Sequence, residues 1–127
     1  MKGFFSIILL MFILSCTSRP LLEPSRVSFQ SDLSKEQIVN AIEKGARLKG
    51  WKVTSLSDGV VNLRVRVRQH RLSVRLEYDS RSYKIRYKDS YRLNYNGSDN
   101  TIHRSANRWI KNLEQSITRS IEQSLEG

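Results

Sequence analysis

Residues 60–88, VVNLRVRVRQHRLSVRLEYDSRSYKIRYK, decide the fold. Three successive runs place apolar side chains at every second position: Val61, Leu63, Val65 and Val67; Leu72, Val74, Leu76 and Tyr78; Tyr83, Ile85 and Tyr87. Polar and mostly basic side chains fill the alternate positions: Arg64, Arg66 and Arg68; Arg71, Ser73, Arg75 and Glu77; Lys84, Arg86 and Lys88. Period-two alternation marks strands with one face buried and one in water. Runs this close in sequence pair as an antiparallel meander. Gln69-His70 reads as the first turn and Asp79–Ser82 as the second, which sets Val67 opposite Leu72 and Tyr78 opposite Tyr83.

Working outward, Trp51, Val53 and Ser55 continue the alternation upstream. Ser57-Asp58-Gly59 reads as a three-residue hairpin loop with Gly59 left-handed, placing Val53 opposite Leu63 and Trp51 opposite Val65. Before it, the spacing predicts a helix over 34–49. Ser34 and Gln37 form a capping box, Leu33 and Ile38 a hydrophobic staple, Ile38, Ala41, Ile42, Gly45 and Leu48 share a face, and Gly50 closes the end. Downstream, Ile102, Ala106, Trp109, Ile110, Leu113, Ile117, Ile121 and Leu125 form the stripe of a second helix from about Thr101 to Leu125, capped by Asp99 or Thr101. Neither helix nor sheet can bury its apolar face alone. The expected fold is α+β in the order αββββα, a four-stranded antiparallel meander with two helices packed on one face, formed by residues 33–127 as one domain.

The N-terminus carries a different message. Met1-Lys2 is a short positive region, and Gly3–Leu14 is an uncharged apolar run of 12 residues. A membrane-spanning helix needs ~20 such residues, so residues 1–15 read as a signal peptide. Ile13-Leu14-Ser15-Cys16 resembles a lipobox, the signal after which a bacterial lipoprotein is lipidated and cleaved; the resemblance makes Cys16 the lipidated residue. Thr17 in the next position then implies outer-membrane sorting in a Gram-negative cell, facing the periplasm. One acyl chain binds a membrane only marginally, whereas two or more hold it stably. Residues 17–32 contain both prolines and several serines, and with Cys16 they read as a lipidated, flexible tether reaching on the order of 20 Å. Leu21, Leu22, Val27 and Phe29 leave open the docking of part of this segment.

Charge points to the class of partner. The chain carries 22 Lys and Arg against 12 Asp and Glu, a net +10, which falls to +9 when residues 1–15 take Lys2 with them. Such an excess favours polyanionic partners. Residues 60–92 alone hold ten basic and three acidic side chains. The expected registers set Arg64, Arg75 and Arg86 in one row, Arg68 against Arg71, and Arg66, Ser73 and Lys88 in another row, with Glu77 opposite Lys84 as the one complementary pair. Like charges directly opposed on a sheet are destabilising; such a face is either screened by solvent or meets an anion. His103, Arg104 and Arg108 crowd the start of the second helix, where the dipole disfavours cations and a helix N-terminus with arginines suits an anion. The candidate anion-binding residues are therefore Arg64, Arg66, Arg75, Arg86, Lys88, His103, Arg104 and Arg108.

Residues 87–113, YKDSYRLNYNGSDNTIHRSANRWIKNL, resemble a group of small proteobacterial lipoproteins of unassigned function. The resemblance rests on Lys88-Asp89-Ser90, Leu93-Asn94-Tyr95, Gly97, Ile102-His103-Arg104 and Asn107-Arg108-Trp109-Ile110. It implies the architecture and location above and brings no activity with it.

No catalytic constellation is evident. His70 and His103 are expected on opposite sides of the sheet, and no Ser, Cys or paired carboxylate accompanies them. Two distant histidines offer no metal-ligand spacing, so neither catalytic residues nor a metal or cofactor are expected. Nucleic acid is disfavoured by the exported location. Two readings remain. One is a membrane-anchored, non-catalytic envelope module binding an anionic component, whether glycolipid, peptidoglycan or an acidic protein surface. The other is a structural or assembly accessory binding an envelope protein through apolar contacts at Tyr91–Tyr95.

Overall fold

A computed structural model describes residues 17–126; the expected signal peptide and the expected lipidation of Cys16 fall outside the described residues. The elements follow in the order β1 (Ser18–Pro20), β2 (Val27–Ser28), α1 (Lys35–Leu48), β3 (Lys52–Ser57), β4 (Val60–Val67), β5 (His70–Tyr78), β6 (Ser82–Tyr91), β7 (Thr101–His103) and α2 (Arg104–Glu126). The fold is α+β, with a main antiparallel sheet of five strands ordered β2-β6-β5-β4-β3 and a separate pair, β1-β7.

The alternation in residues 60–88 forms the core as expected. Val61, Leu63, Val65, Leu72, Val74, Leu76, Tyr83 and Ile85 are all buried, together with Ile38, Ile42, Ile110, Leu113 and Ile117 of the two helices. Both helices cover one face of the sheet. Tyr83 ties the layers together: its hydroxyl donates to the Glu114 carbonyl oxygen at 3.0 Å and lies 2.7 Å from Thr118 Oγ1.

α1 starts where the sequence places it. Ser34 Oγ accepts from Gln37 N–H, and Gln37 Oε1 accepts from Ser34 N–H. Its buried face is Ile38, Ala41, Ile42, Gly45 and Ala46, while Leu48 is 69% exposed.

The registers differ from expectation in three places. The β3–β4 hairpin closes through Asp58-Gly59 with Ser57 opposite Val60, one residue tighter than predicted; an irregularity between Val53 and Ser55 then returns Val53 to Leu63. β4 and β5 pair two residues further than expected, with Val65 opposite Leu72, because Arg68-Gln69 makes the turn and Val67 faces His70. A shift of two residues preserves the faces, so the apolar pattern tolerates it. β5 and β6 keep Tyr78 opposite Tyr83, but an irregularity after Val74–Tyr87 sets Ser73 against Asp89, removing Lys88 from its expected row.

Part of the N-terminal segment is laid onto the domain, the docking that Leu21, Leu22, Val27 and Phe29 left open. Ser18, Arg19 and Pro20 pair with His103, Ile102 and Thr101, and Val27 and Ser28 pair with Tyr83 and Ser82. Leu21 is buried, and Asn107 clamps its surroundings by accepting from Leu22 N–H at 2.8 Å and donating to Pro20 O at 2.8 Å. The apolar residues of this segment gain burial that a free chain would forgo. β7 occupies what was expected to be the first turn of the second helix, so α2 starts at Arg104. Among the described residues no helix is long and apolar enough to cross a membrane.

Candidate functional site

Among the described residues no layer covers the outer face of the sheet, and that face divides into two electrostatic regions. At the end near the β5–β6 turn, Glu77 sits between two arginines: Arg86 Nε donates to Glu77 Oε1 at 2.8 Å, and Arg75 Nε forms an ion pair with Glu77 Oε2 at 3.1 Å. The bond from Arg86, helped by the charges of Arg86, Arg75 and Arg26, holds the Glu77 carboxyl below its ordinary range despite partial burial. Arg75 and Arg86 are adjacent across β5–β6 as expected, but they are locally neutralised. Lys84 nearby donates to Pro24 O at 2.9 Å.

The other end has no such compensation. Arg64 faces Ser73, and Arg66 faces Arg71, across β4–β5. Arg64 therefore leaves the expected Arg64–Arg75–Arg86 row, and Asn62 stands opposite Arg75. Arg64 Nε donates to the buried Ser73 Oγ at 3.3 Å. Tyr91, 49% exposed, is flanked by the guanidinium groups of Arg71 and Arg92 at 5.5 and 5.4 Å from its ring centroid. Cations over an aromatic face are held by its quadrupole. Arg92 Nη1 also donates to Gln69 Oε1 at 2.8 Å. Arg66, Arg68, Gln69, Arg71, Tyr91 and Arg92 together line a cleft of about 330 Å³. Arg71 Nε is buried there without a hydrogen-bond partner. None of Arg64, Arg66, Arg68, Arg71 and Arg92 forms an ion pair among the described residues.

Backbone strain gathers at the same place. Arg68 has φ +58° and Arg92 φ +61°. The left-handed region disfavours side chains with a Cβ, and glycine or asparagine ordinarily fills it. Strain of this kind tends to collect at functional sites. Arg68, Arg71 and Arg92 were not among the expected anion-binding residues. The absence of a glycine or asparagine at the β4–β5 turn is the signal that marks Arg68.

The start of α2 is built differently from expectation. Neither Asp99 nor Thr101 caps it. His103 Nδ1 accepts from Ser105 N–H at 3.1 Å, and the Thr17 carbonyl oxygen accepts from Arg104 N–H at 2.8 Å. Two donors that an anion would use are thus satisfied by the chain itself. Burial lowers the His103 pKa, with the charges of Arg104, His70 and Arg108 acting in the same direction. His70 and His103 are not separated by the sheet. His70 lies on the inner face at the end of β5, its ring 6.5 Å from that of Trp109 and its Nδ1 2.8 Å from Arg92 O. Arg108 Nη2 donates to Ser105 Oγ at 3.3 Å.

Within the segment Tyr91–Tyr95 the two tyrosines are exposed, at 49% and 40%, but the residue between them that is fully apolar is not. Leu93 is fully buried, and Tyr95 stacks on Tyr87 at 4.3 Å. A second groove, lined by Phe29, Thr118, Ile121 and Leu125, carries Glu122 and Glu126 on its rim and is unsuited to anions. Among the described residues no group of three or more His, Cys, Asp or Glu side chains converges to hold a metal ion. Comparison with protein-family models, curated proteins and solved structures finds no match.

Proposed function

We propose that the chain is a lipid-anchored module of the bacterial envelope that holds an anionic envelope component and performs no chemistry. The observation that carries this reading is the uncompensated cluster of Arg64, Arg66, Arg68, Arg71 and Arg92 on a bare sheet face. Opposed like charges cost stability, as do left-handed arginines, and an anion that neutralises the cluster offsets both. The lipobox-like Ile13–Cys16 supplies the anchor. Relative to the sequence-based set, the working residues shift toward Arg66, Arg68, Arg71 and Arg92, and away from Arg75 and Arg86, which Glu77 already satisfies.

The apolar accessory reading has less support, since Leu93 belongs to the core and Tyr95 is stacked on Tyr87. The test is co-sedimentation of the full chain with anionic phospholipid or glycolipid vesicles, and separately with peptidoglycan sacculi, at rising salt. Binding should fall steeply with ionic strength and with Arg66→Glu. Affinity indifferent to salt would sink the electrostatic reading. A single dominant protein partner in in-cell crosslinking would favour the accessory.

A further inference from the structure

We infer that the arginine end of the domain rests directly on the phosphate layer of the bilayer that holds the lipid anchor, with the strands running away from the membrane. This rests on the lipid-anchored reading above and adds an orientation and a ligand source to it.

Thr17, the neighbour of Cys16 in sequence, is fixed through its carbonyl oxygen to Arg104 N–H, and β1 follows at once, paired to β7. No free spacer remains between a lipid on Cys16 and the folded domain. A short path of hydrogen bonds leads from this point to the arginine cleft. His103 N–H donates to Leu93 O at 2.8 Å, and next to Leu93 the Arg92 carbonyl contacts His70 Nδ1 at 2.8 Å. The Arg92 side chain reaches Gln69 at 2.8 Å. Anchor point and cleft are therefore at the same end of the molecule. Arg104 and Arg108, in the first turns of α2, add their charge to that end.

Distance decides the consequence. A free tether of 16 residues would let the domain stand on the order of 20 Å off the surface. Ionic screening extinguishes the attraction of exposed charges beyond about 10 Å. Pinning Thr17 removes that separation and brings the guanidinium groups within reach of lipid phosphates, which suit arginine's forked donors. At the far end lie Ser80 and the Glu77-neutralised arginines, separated from Gln69 by the nine residues of β5, a span of ~30 Å.

The experiment uses the full lipidated chain with one new thiol, Gln69→Cys or Ser80→Cys, spin-labelled and reconstituted in vesicles of phosphatidylcholine with phosphatidylglycerol that carry a nickel-chelating headgroup. Because a lipidated Cys16 has no free thiol, the label is unique. Relaxation of the Gln69→Cys label by headgroup nickel should exceed that of Ser80→Cys several-fold, and Arg66→Ala with Arg68→Ala should reduce the contrast. Equal relaxation at both positions, or a contrast in the opposite sense, would overturn the orientation. A Gln69→Cys label that is shielded only on adding sacculi would overturn it in favour of a cell-wall ligand. Whole-protein mass spectrometry separates the two levels. A mature chain without lipid on Cys16 removes the reading beneath, whereas a lipidated chain with equal relaxation removes the inference alone.

Discussion

Ser116 Oγ donates to the Gly45 carbonyl oxygen at 2.7 Å, joining α2 to α1 where a side chain on Gly45 would have no room. An ideal Cβ at position 45 would stand 2.7 Å from Ile117 Cα and 2.9 Å from Ser116 O, both backbone atoms. Neither can move without separating the helices. Gly45→Ala should therefore destabilise the domain by about 1–3 kcal/mol, the usual cost of overpacking, despite alanine's better helix propensity. Urea denaturation checks it; a stabilised variant would contradict the close crossing.

His103 makes stability depend on pH. Its Nδ1 accepts a hydrogen bond as the cap of α2, so protonation breaks the cap, and its folded pKa lies below the ordinary 6.5. The unfolded chain then binds the proton more readily, so stability is fully present above pH 6.5 and is lost as pH falls from there toward the lowered folded value. His70 from β5 and Arg104 and Arg108 from α2 reinforce the shift. His103→Asn keeps an acceptor for the cap without titrating in this range. Melting temperature against pH should slope in the wild type over this window and flatten in the variant.

Arg68 separates stability from binding. At φ +58°, glycine relieves strain of about 1–2 kcal/mol and costs about 0.5–1 kcal/mol in chain entropy. Arg68→Gly should leave the melting temperature unchanged or raise it, while weakening binding to anionic vesicles. A loss of stability in parallel with binding would assign Arg68 a merely structural role.

Asn107 holds the N-terminal segment through bonds to Leu22 N–H and Pro20 O. Asn107→Ala leaves both groups without their partner, at about 1–3 kcal/mol for a buried polar group and less where water enters. Hydrogen exchange should accelerate in residues 18–22 well before the main sheet is affected. Unchanged exchange there would show that β1 is held by other contacts.

The sequence carried its longest-range information where apolar parity is unambiguous, and lost it where turns lack their usual residues. Val53 opposite Leu63 was legible even though the loop was misjudged, because the irregularity near Thr54 offsets the tighter turn. The β4–β5 register was not legible: a slip of two residues leaves every side chain on its own face, and Arg68-Gln69 offers no turn signal. That error mattered for the site, since it moved Arg64 from Arg75 to Ser73 and brought Arg66 to Arg71. β1 and β2 were hidden because two- and three-residue strands carry no measurable period. The displacement of Lys88 needed knowledge of a bulge that nothing in its side chain announces.

The irregular β3 also bears on how copies of the chain behave together. A sheet with one open face risks growing sideways when a neighbouring chain hydrogen-bonds to its rim. Here one rim is β3, irregular near Thr54 and headed by Lys52, while on the other side β2 covers only Ser82 and Tyr83, leaving residues 84–91 of β6 without a further strand among the described residues. The β3 rim lacks the long, flat row of unpaired amides that seeds strand addition, whereas the β6 rim beyond Tyr83 is where a neighbouring strand would add. Side-by-side growth of the sheet is thereby confined to the β6 rim, where the charges of Lys84, Arg86 and Lys88 on each copy oppose it.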